Sequence, residues 1–209
     1  MIKKVIFDLD NTLIKWEDKY IFALINTVKK LNLDYDNKMI TKIDNTLVNY
    51  AKEHSIYTKE MFCDYNNKKC NINLPYEFYD ILKEEQTMCY REFTESEINT
   101  LKYLSSKYEL VILSNWLTYT QKKRLENAGV LKYFSLVSGG DERELKPSLK
   151  AFDIFENKEE CVMIGDDINN DILPAINVGM QAILLNKKNY KKDLRYRQAK
   201  RLEDLKEML

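Results

Sequence analysis

The sequence predicts an α/β fold, built as a doubly wound parallel sheet with a smaller all-helical domain inserted after the first strand. In residues 93–209, short apolar runs alternate with helix-like segments, as they do in strand–helix repeats of a parallel sheet. A stretch of helical periodicity separates the first apolar run from the others. The chain of 209 residues is long enough for one buried core and a smaller second unit.

The first strand is predicted around Val5–Phe7, an apolar run that stops abruptly at two carboxylates, Asp8 and Asp10. From Glu17 to about Glu92 the apolar residues recur at helical spacing instead. We therefore predict a core domain formed by residues 1–16 and 93–209, and a helical cap domain formed by residues 17–92.

Within the predicted cap, we expect a bundle of about four helices. The polar segment 63–71 is predicted to interrupt the helical pattern, and Pro75 to mark the start of another helix. The aromatic residues Tyr50, Tyr57 and Phe62 are expected to be exposed, where they would support pairing of two copies.

Capping and turn residues delimit the remaining core elements. Thr94 and Glu97 have capping-box spacing, and Gly129 and Gly179 are placed to end helices. We interpret the basic segment 187–192 as a solvated loop. The predicted elements are a helix at 94–106, a strand at 109–113, a helix ending near 128, a strand at 134–137, a helix at 149–155, a strand at 161–164, a helix at 172–178, a strand at 182–185 and a closing helix with Leu202, Leu205 and Leu209.

Composition narrows the class of protein. The 33 basic and 33 acidic residues give a formal net charge of zero, which argues against nucleic acid or an anionic membrane as a partner. No apolar run approaches the roughly 20 residues of a membrane helix, and the first one ends too early for a signal peptide. A cytoplasmic protein is expected.

The cysteines lack Cys-x-x-Cys spacing, so we predict free thiols and no zinc site at Cys63, Cys70, Cys89 and Cys161.

Polar residues gather in four short motifs, most of them directly after an apolar run. Because the carboxyl ends of parallel strands meet at one edge of a sheet, we expect Asp8, Ser114 and Asp166 to share a crevice. Carboxylates bunched in this way repel one another, and a bound cation is the natural way to hold them together. The motifs are Asp8-x-Asp10-x-Thr12, Ser114-Asn115, Lys146-Pro147 and Gly165-Asp166-Asp167-x-x-Asn170-Asp171.

In this order the four motifs resemble those of the haloacid dehalogenase superfamily, over nearly the whole chain. The resemblance implies a Rossmann-like core with a helical cap between the first and second motifs. It also implies a Mg²⁺-dependent phosphatase that hydrolyses a small phosphorylated metabolite through an aspartyl phosphate. Asp10 stands where dehalogenating members carry a different residue, which disfavours carbon–halogen hydrolysis. The expected partner is a small-molecule phosphate ester, and the protein a monomer or homodimer.

The resemblance assigns roles to individual residues. Asp8 would be the nucleophile, and Asp10 would protonate the leaving alcohol and then take a proton from water. Mg²⁺ would bind Asp8, the backbone carbonyl of Asp10 and Asp166, with Asp171 and Asp167 as further candidates. Lys146 would offset the charge of the nucleophile. The residues expected to hold the phosphate oxygens are Thr12, Ser114, Asn115 and Lys146.

Each motif also has a structural explanation, since the same residues cap helices, form turns or lie in exposed loops. Two other functions stay open: a sugar-phosphate mutase, which returns the phosphoryl group to another hydroxyl, and a receiver-like phosphoacceptor without turnover. The long insertion after Asp10 speaks against the receiver. Trp16 and Trp116 follow motifs, and either one is a candidate to line the substrate mouth or to brace the cap.

Overall fold

The computed structural model describes residues 1–15, 19–186 and 193–209, and these residues contain a six-stranded sheet. The strands lie in the order β3-β2-β1-β4-β5-β6, and every neighbouring pair is parallel. The sheet grows outward from β1 in both directions, so the predicted doubly wound fold is confirmed. The strands are β1 (Lys4–Phe7), β2 (Glu109–Leu113), β3 (Leu136–Ser138), β4 (Cys161–Gly165), β5 (Gln181–Leu185) and β6 (Arg197–Ala199).

Helices occupy most of the connections between strands. Five of them lie between β1 and β2 in the chain: α1 (Lys19–Lys30), α2 (Asn37–Glu53), α3 (Lys59–Cys70), α4 (Glu77–Glu85) and α5 (Glu95–Ser105). The others are α6 (Thr118–Asn127), α7 (Leu173–Asn177) and α8 (Leu205–Met208). A π-helical turn at Ile168–Ile172 precedes α7, and short 3₁₀ turns lie at Gln86–Met88, Leu131–Tyr133, Leu149–Phe152, Lys158–Glu160 and Leu202–Asp204.

Both faces of the sheet are covered. Val5 and Phe7 of β1 belong to one apolar cluster with Leu101 of α5, whereas Ile6 belongs to another with Phe152. Successive side chains of a strand alternate between faces, and β1 is flanked by strands on both sides. This position explains why its sequence is continuously apolar, as is typical of a buried parallel strand.

Helices α1 to α4 share an apolar cluster, which includes the fully buried Ile43, Phe62 and Phe78. The same cluster includes Trp116 and Leu145, which follow β2 and β3 in the chain. We propose that these inserted helices are the predicted cap. The boundary expected between residues 16 and 17 lies outside the described residues, as does Trp16.

Two expectations about the inserted helices are wrong. The segment predicted to interrupt the pattern is the second half of α3, because Asn66 is buried and bonds the carbonyl of Phe62 at 2.7 Å. A buried amide at this position breaks the apolar periodicity without breaking the helix. Tyr50, Tyr57 and Phe62 are 0%, 5% and 0% exposed, so they pack inside the molecule and offer no surface for pairing.

The core elements follow the prediction closely, with three differences. Strand β3 lies one to two residues later than predicted, and the helix expected at 149–155 is only a 3₁₀ turn, Leu149–Phe152. Strand β6 was not predicted, because an edge strand of three residues has no apolar run. The basic segment 187–192 lies outside the described residues.

The four cysteines are free and buried, as predicted. Among the helices in the described part of the chain, none is both long and apolar enough to span a bilayer. The expected cytoplasmic location stays a prediction.

Candidate active site

The first and fourth motifs meet at the carboxyl ends of β1 and β4. The backbone N–H of Asp8 donates to the carbonyl of Ile164 at 2.9 Å, which continues the pairing of these strands one residue further. The Thr12 hydroxyl lies 2.9 Å from Asp8 Oδ2 and 3.3 Å from Asp166 Oδ1. Neighbouring parallel strands therefore bring together two carboxylates that are far apart in sequence.

Lys146 is a buried cation that contacts Asp8 and a third acid, Asp171. Its Nζ donates to Asp8 Oδ1 at 2.8 Å and to Asp171 Oδ1 at 2.6 Å, and the residue is 2% exposed. Asn115 holds the lysine backbone at both polar atoms: Asn115 Nδ2 donates to the carbonyl at 2.7 Å, and Asn115 Oδ1 accepts from the N–H at 2.8 Å. The second motif thus positions the third, while the predicted contact of Asn115 with phosphate stays a prediction.

Gly165 leaves the space that Asp171 occupies. A Cβ on Gly165 would lie 2.3 Å from Asp171 Oδ2 and 2.5 Å from Asp171 Cβ. Any side chain at position 165 would therefore displace the carboxylate that binds Lys146. A close approach of backbone and side chain explains this glycine, rather than an unusual φ angle.

Burial and mutual repulsion disfavour the charged forms of these acids. Burial raises the pKa of Asp8 to about 7, although the charge of Lys146 opposes the shift. Burial and the neighbouring Asp8 raise the pKa of Asp166 to about 6. Burial also raises the pKa of Asp171. For Lys146 burial alone would lower the pKa, but the charges of Asp171 and Asp8 outweigh it and raise the pKa. These groups therefore need further positive charge to ionise together.

The acidic cluster suits a hard divalent cation. One carboxylate oxygen from each of Asp8, Asp166 and Asp171 lies within 4.8 Å of the others. Oxygen ligands of this type are those that Mg²⁺ prefers, with water completing the shell. The contribution predicted for Asp10 is through its backbone carbonyl, and it stays a prediction.

Asp167 caps the start of the next turn, and its candidate role at the metal stays a prediction. Its Oδ1 accepts the backbone N–H groups of Asn169 at 2.7 Å and Asn170 at 3.0 Å, and its Oδ2 accepts from Asn170 Nδ2 at 3.0 Å. This side chain caps the π-helical turn that delivers Asp171.

Asp10 is held by three donors that the sequence analysis did not single out. Its Oδ1 accepts from the Tyr20 hydroxyl at 2.9 Å and from Arg124 Nη1 at 2.7 Å, and its Oδ2 accepts from Gln121 Nε2 at 2.7 Å. Burial and the charge of Asp10 raise the pKa of Tyr20 well above its usual range, so this hydroxyl keeps its proton. Arg124 and Gln121 are fully buried in α6.

One feature of the sequence points to these donors. Gln121 and Arg124 are three residues apart and precede Leu125, so they share the helix face that packs inward. Gln121 Nε2 also donates to Ser114 Oγ at 2.6 Å, which ties the second motif to the Asp10 network.

A cavity of about 310 Å³ opens over these groups. Asp8, Asp10 and Ser114 line it, as do Leu47 and Val48 of α2. Tyr57, Gln86 and Trp116 also line the cavity. Trp116 thus lines the cavity and also packs against the inserted helices, so the structure is compatible with both roles predicted for it.

The parallel sheet and its cluster of carboxylates around a buried lysine define a class of hydrolase. The model of the haloacid dehalogenase-like hydrolase family matches residues 5–185, and the chain belongs to this family. Its relatives by sequence include phosphatases, and the predicted class, a phosphoric monoester hydrolase, is confirmed at this level.

Two such relatives align along most of their length. The chain is 30% identical to glyceraldehyde 3-phosphate phosphatase of Methanothermobacter thermautotrophicus, over 89% of this chain and 86% of that protein. It is 27% identical to human N-acylneuraminate-9-phosphatase, over 90% of this chain and 84% of that protein. The Mg²⁺-bound crystal structure of the HAD-hydrolase YfnB from Bacillus subtilis has the same fold, with a TM-score of 0.73 at 19% identity, covering 99% of this chain and 98% of that one.

Proposed function

We propose that this protein is a Mg²⁺-dependent phosphatase that hydrolyses a small phosphorylated metabolite through an aspartyl phosphate on Asp8. The observation that supports it most directly is the position of Asp8. This carboxylate lines the cavity, bonds Lys146 and Thr12, and shares the acidic cluster with Asp166. Phosphatase activity in both curated relatives supports the same reaction.

Asp8 would attack phosphorus, forming an O–P bond as the bond to the leaving alcohol breaks. The family cofactor Mg²⁺, held by Asp8, Asp166 and the Asp10 backbone carbonyl, would neutralise charge on the acids and the phosphoryl group. Asp171 would lie in or beside this shell, and its carboxylate accepts a hydrogen bond from Lys146 Nζ, which it would orient. Lys146 would stabilise both the nucleophile and the phosphoryl oxygens.

Ser114, Asn115 and Thr12 would donate hydrogen bonds to the other phosphoryl oxygens, and Asn115 also holds the backbone of Lys146. Both hydroxyls already lie beside the nucleophile or the acid network in the structure. These two hydroxyl groups are held in place before the substrate binds, and preorganised donors of this kind stabilise a charged transition state.

Asp10 would give its proton to the leaving alcohol and then accept one from the water that hydrolyses the aspartyl phosphate. It lines the same cavity as Asp8, which lies two residues earlier in the chain. Tyr20, Gln121 and Arg124 would act as positioning residues, because each bonds the Asp10 carboxylate directly. Fixing a proton donor in this way reduces the reorientation needed during reaction.

The inserted helices would close the cavity as a lid, which excludes water and limits substrate size. Leu47 and Val48 of α2 provide part of its wall. On this basis we propose the domain division made from the sequence. We also keep, as proposals from the sequence, a monomer or homodimer as the assembly and the cytoplasm as the location.

The test is phosphate release from p-nitrophenyl phosphate with and without Mg²⁺. We expect turnover that depends on Mg²⁺ and that falls to background in Asp8→Asn. A matched control is Asp153→Asn, which removes an exposed acid paired with Lys158 and should leave turnover unchanged. Turnover that persists in Asp8→Asn would refute the mechanism.

Product analysis distinguishes the two alternatives. A mutase would return the phosphoryl group to a second hydroxyl, so a sugar phosphate incubated with the protein would isomerise without releasing phosphate. A receiver-like phosphoacceptor would accumulate a phosphorylated form that lasts for hours. Free phosphate as the main product would support the phosphatase.

A further inference from the structure

We propose that Tyr57 is a residue by which the inserted helices recognise the substrate, and that its hydroxyl donates a hydrogen bond to an oxygen of the leaving alcohol. The inference rests on the proposed function, and it names the substrate class of the same site: phosphate esters whose alcohol carries an acceptor oxygen besides the ester oxygen. It follows from the position of Tyr57, from the way its ring is held, and from the hydroxyl that it brings to the cavity.

Tyr57 lies in the short segment between α2 and α3, where this segment meets the chain that follows β3. The backbone N–H of Tyr57 donates to the carbonyl of Gly140 at 3.0 Å. The carbonyl of Ser55 accepts from the N–H of Leu145 at 2.7 Å. Two backbone hydrogen bonds therefore hold the segment against the residues that lead into Lys146.

Neighbouring aromatic rings hold the Tyr57 side chain. Its ring stacks on Tyr50, with centroids 4.6 Å apart and an interplanar angle of 20°, and meets Trp116 edge-on at 5.1 Å. Phe62 packs beside it at a centroid distance of 6.0 Å. Ring contacts of this kind favour one orientation of the phenol. Its hydroxyl is thus placed before the substrate binds, which reduces the entropy lost on binding.

The hydroxyl of Tyr57 is open to the cavity. Tyr57 is only 5% exposed, and it lines the cavity together with Asp10. Its hydroxyl forms no hydrogen bond with the residues that the structure describes. It is also not one of the side-chain atoms in the described residues that are sealed by burial and lack a partner, namely Asn66 Oδ1, Gln86 Oε1, Trp116 Nε1, Arg124 Nη2 and Arg143 Nε. An unpartnered hydroxyl that is not sealed is available to a molecule in the cavity.

Electrostatics place this hydroxyl on the side of the proton donor. Burial raises the pKa of Tyr57 above its usual range, and the charge of Asp10 contributes to the shift. The phenol therefore keeps its proton and can donate a hydrogen bond. Asp10 is already bonded by its own three donors, so the tyrosine lies near this acid without bonding it. Because Asp10 would protonate the ester oxygen, Tyr57 would meet the part of the alcohol beyond that oxygen.

A fixed donor at this position suits an alcohol with an acceptor of its own. Hydroxyl, carbonyl and carboxylate oxygens all accept hydrogen bonds. An alcohol without such an oxygen would displace water from the phenol and leave it unpaired, which is unfavourable. Leu47 and Val48 would contact the carbon skeleton, so the wall combines apolar surface with a placed polar group, as is usual in small-molecule sites.

The experiment measures the effect of Tyr57→Phe on three substrates with Mg²⁺. Glycerol 2-phosphate carries hydroxyl groups on both carbons next to the ester carbon, and 2-phosphoglycerate carries one hydroxyl and one carboxylate there. Phenyl phosphate has no oxygen besides those of its phosphate ester. We expect KM to rise about 3- to 10-fold for at least one of the first two esters and less than about twofold for phenyl phosphate, because only the former lose a hydrogen bond. A rise with glycerol 2-phosphate identifies a hydroxyl as the acceptor, and a rise with 2-phosphoglycerate alone identifies the carboxylate.

Tyr79→Phe is the matched control. It removes a phenol hydroxyl from the same aromatic cluster, where Tyr79 packs on Phe62 at 5.3 Å, but Tyr79 is not part of the cavity lining. The three KM values should stay unchanged in this variant. For an ester that turns over too slowly, its inhibition constant against phenyl phosphate gives the same comparison.

The outcomes separate recognition from other roles of Tyr57. An equal rise in KM for all three substrates would indicate packing, and a fall in kcat shared by all three would indicate support of Asp10; either result would overturn the inference. It would equally be overturned by unchanged kinetics in Tyr57→Phe at an unchanged melting temperature, or by oxygenated esters that are neither hydrolysed nor bound. If the unaltered protein shows no Mg²⁺-dependent hydrolysis of phenyl phosphate, the proposed function fails, and the inference with it.

Discussion

Replacing Lys146 with Met removes the only cation that bonds both Asp8 and Asp171 among the described residues. The side chains of these three residues are 2%, 10% and 3% exposed, so the acids would be left buried without their partner. Removing one member of a buried ion pair typically costs about 3–5 kcal/mol. We expect a loss of this size in the free energy of unfolding at pH 8, without Mg²⁺.

The loss should be smaller at pH 5. Burial raises the pKa of Asp8 to about 7 and also raises that of Asp171, so acidification neutralises the carboxylates and removes the charge that Lys146 offsets. With Asp8 protonated, one of the two ion pairs is gone, and we expect the cost of the substitution to fall to about half, roughly 2 kcal/mol.

Urea denaturation with EDTA present, at pH 8 and pH 5, measures both quantities. Lys150→Met is the matched control, because this lysine is exposed and pairs with Glu144 at the surface. It should leave the free energy of unfolding almost unchanged at both pH values. A loss in Lys146→Met below about 1 kcal/mol at pH 8, or one that grows at pH 5, would refute the reasoning.

Three further outcomes follow from the site. Arg124→Met should lower kcat on p-nitrophenyl phosphate by about 10- to 100-fold with little change in KM. Arg124→Lys should retain part of the kcat that Arg124→Met loses. An unchanged kcat in a folded Arg124→Met would contradict the positioning role. Mg²⁺ affinity, measured by titration calorimetry, should weaken by up to about tenfold from pH 7 to pH 6, since the raised pKa of Asp8 lets protons compete with the ion; affinity that is flat with pH would exclude this competition. Gly165→Ala should lower the free energy of unfolding by about 1–3 kcal/mol in urea, because its Cβ overlaps Asp171, and a neutral effect would show that the site tolerates the shift.

Much of the core could be predicted because its strands are short apolar runs with polar residues at their ends. β1 and β4 are of this kind, and because they are neighbours in the parallel sheet their ends place Asp8 beside Asp166. The edge strand β6 could not be found, since Arg197–Ala199 has no apolar residue except its last. In α3 the buried Asn66 hides the inward face, because an amide side chain looks polar in the sequence although this one is buried.

The surroundings of Asp10 required the structure. Its partners come from α1 and α6, and Arg124 lies 114 positions away in sequence. Such a contact depends on how two helices pack, which local periodicity does not determine. The sequence of α6 shows Gln121 and Arg124, but it does not show that they bond Asp10.

The three donors to Asp10 lie near the two segments that connect the sheet to the inserted helices, one before α1 and one after α4. Cys89 Sγ donates to the carbonyl of Lys19 at 3.4 Å, so the outgoing and returning crossings touch. Arg124 Nε donates to the carbonyl of Cys89 at 2.8 Å while its Nη1 binds Asp10. One guanidinium thus connects the returning crossing to the Asp10 carboxylate. Under the proposed mechanism, opening of the lid about these crossings would therefore displace the arginine that positions the proton donor.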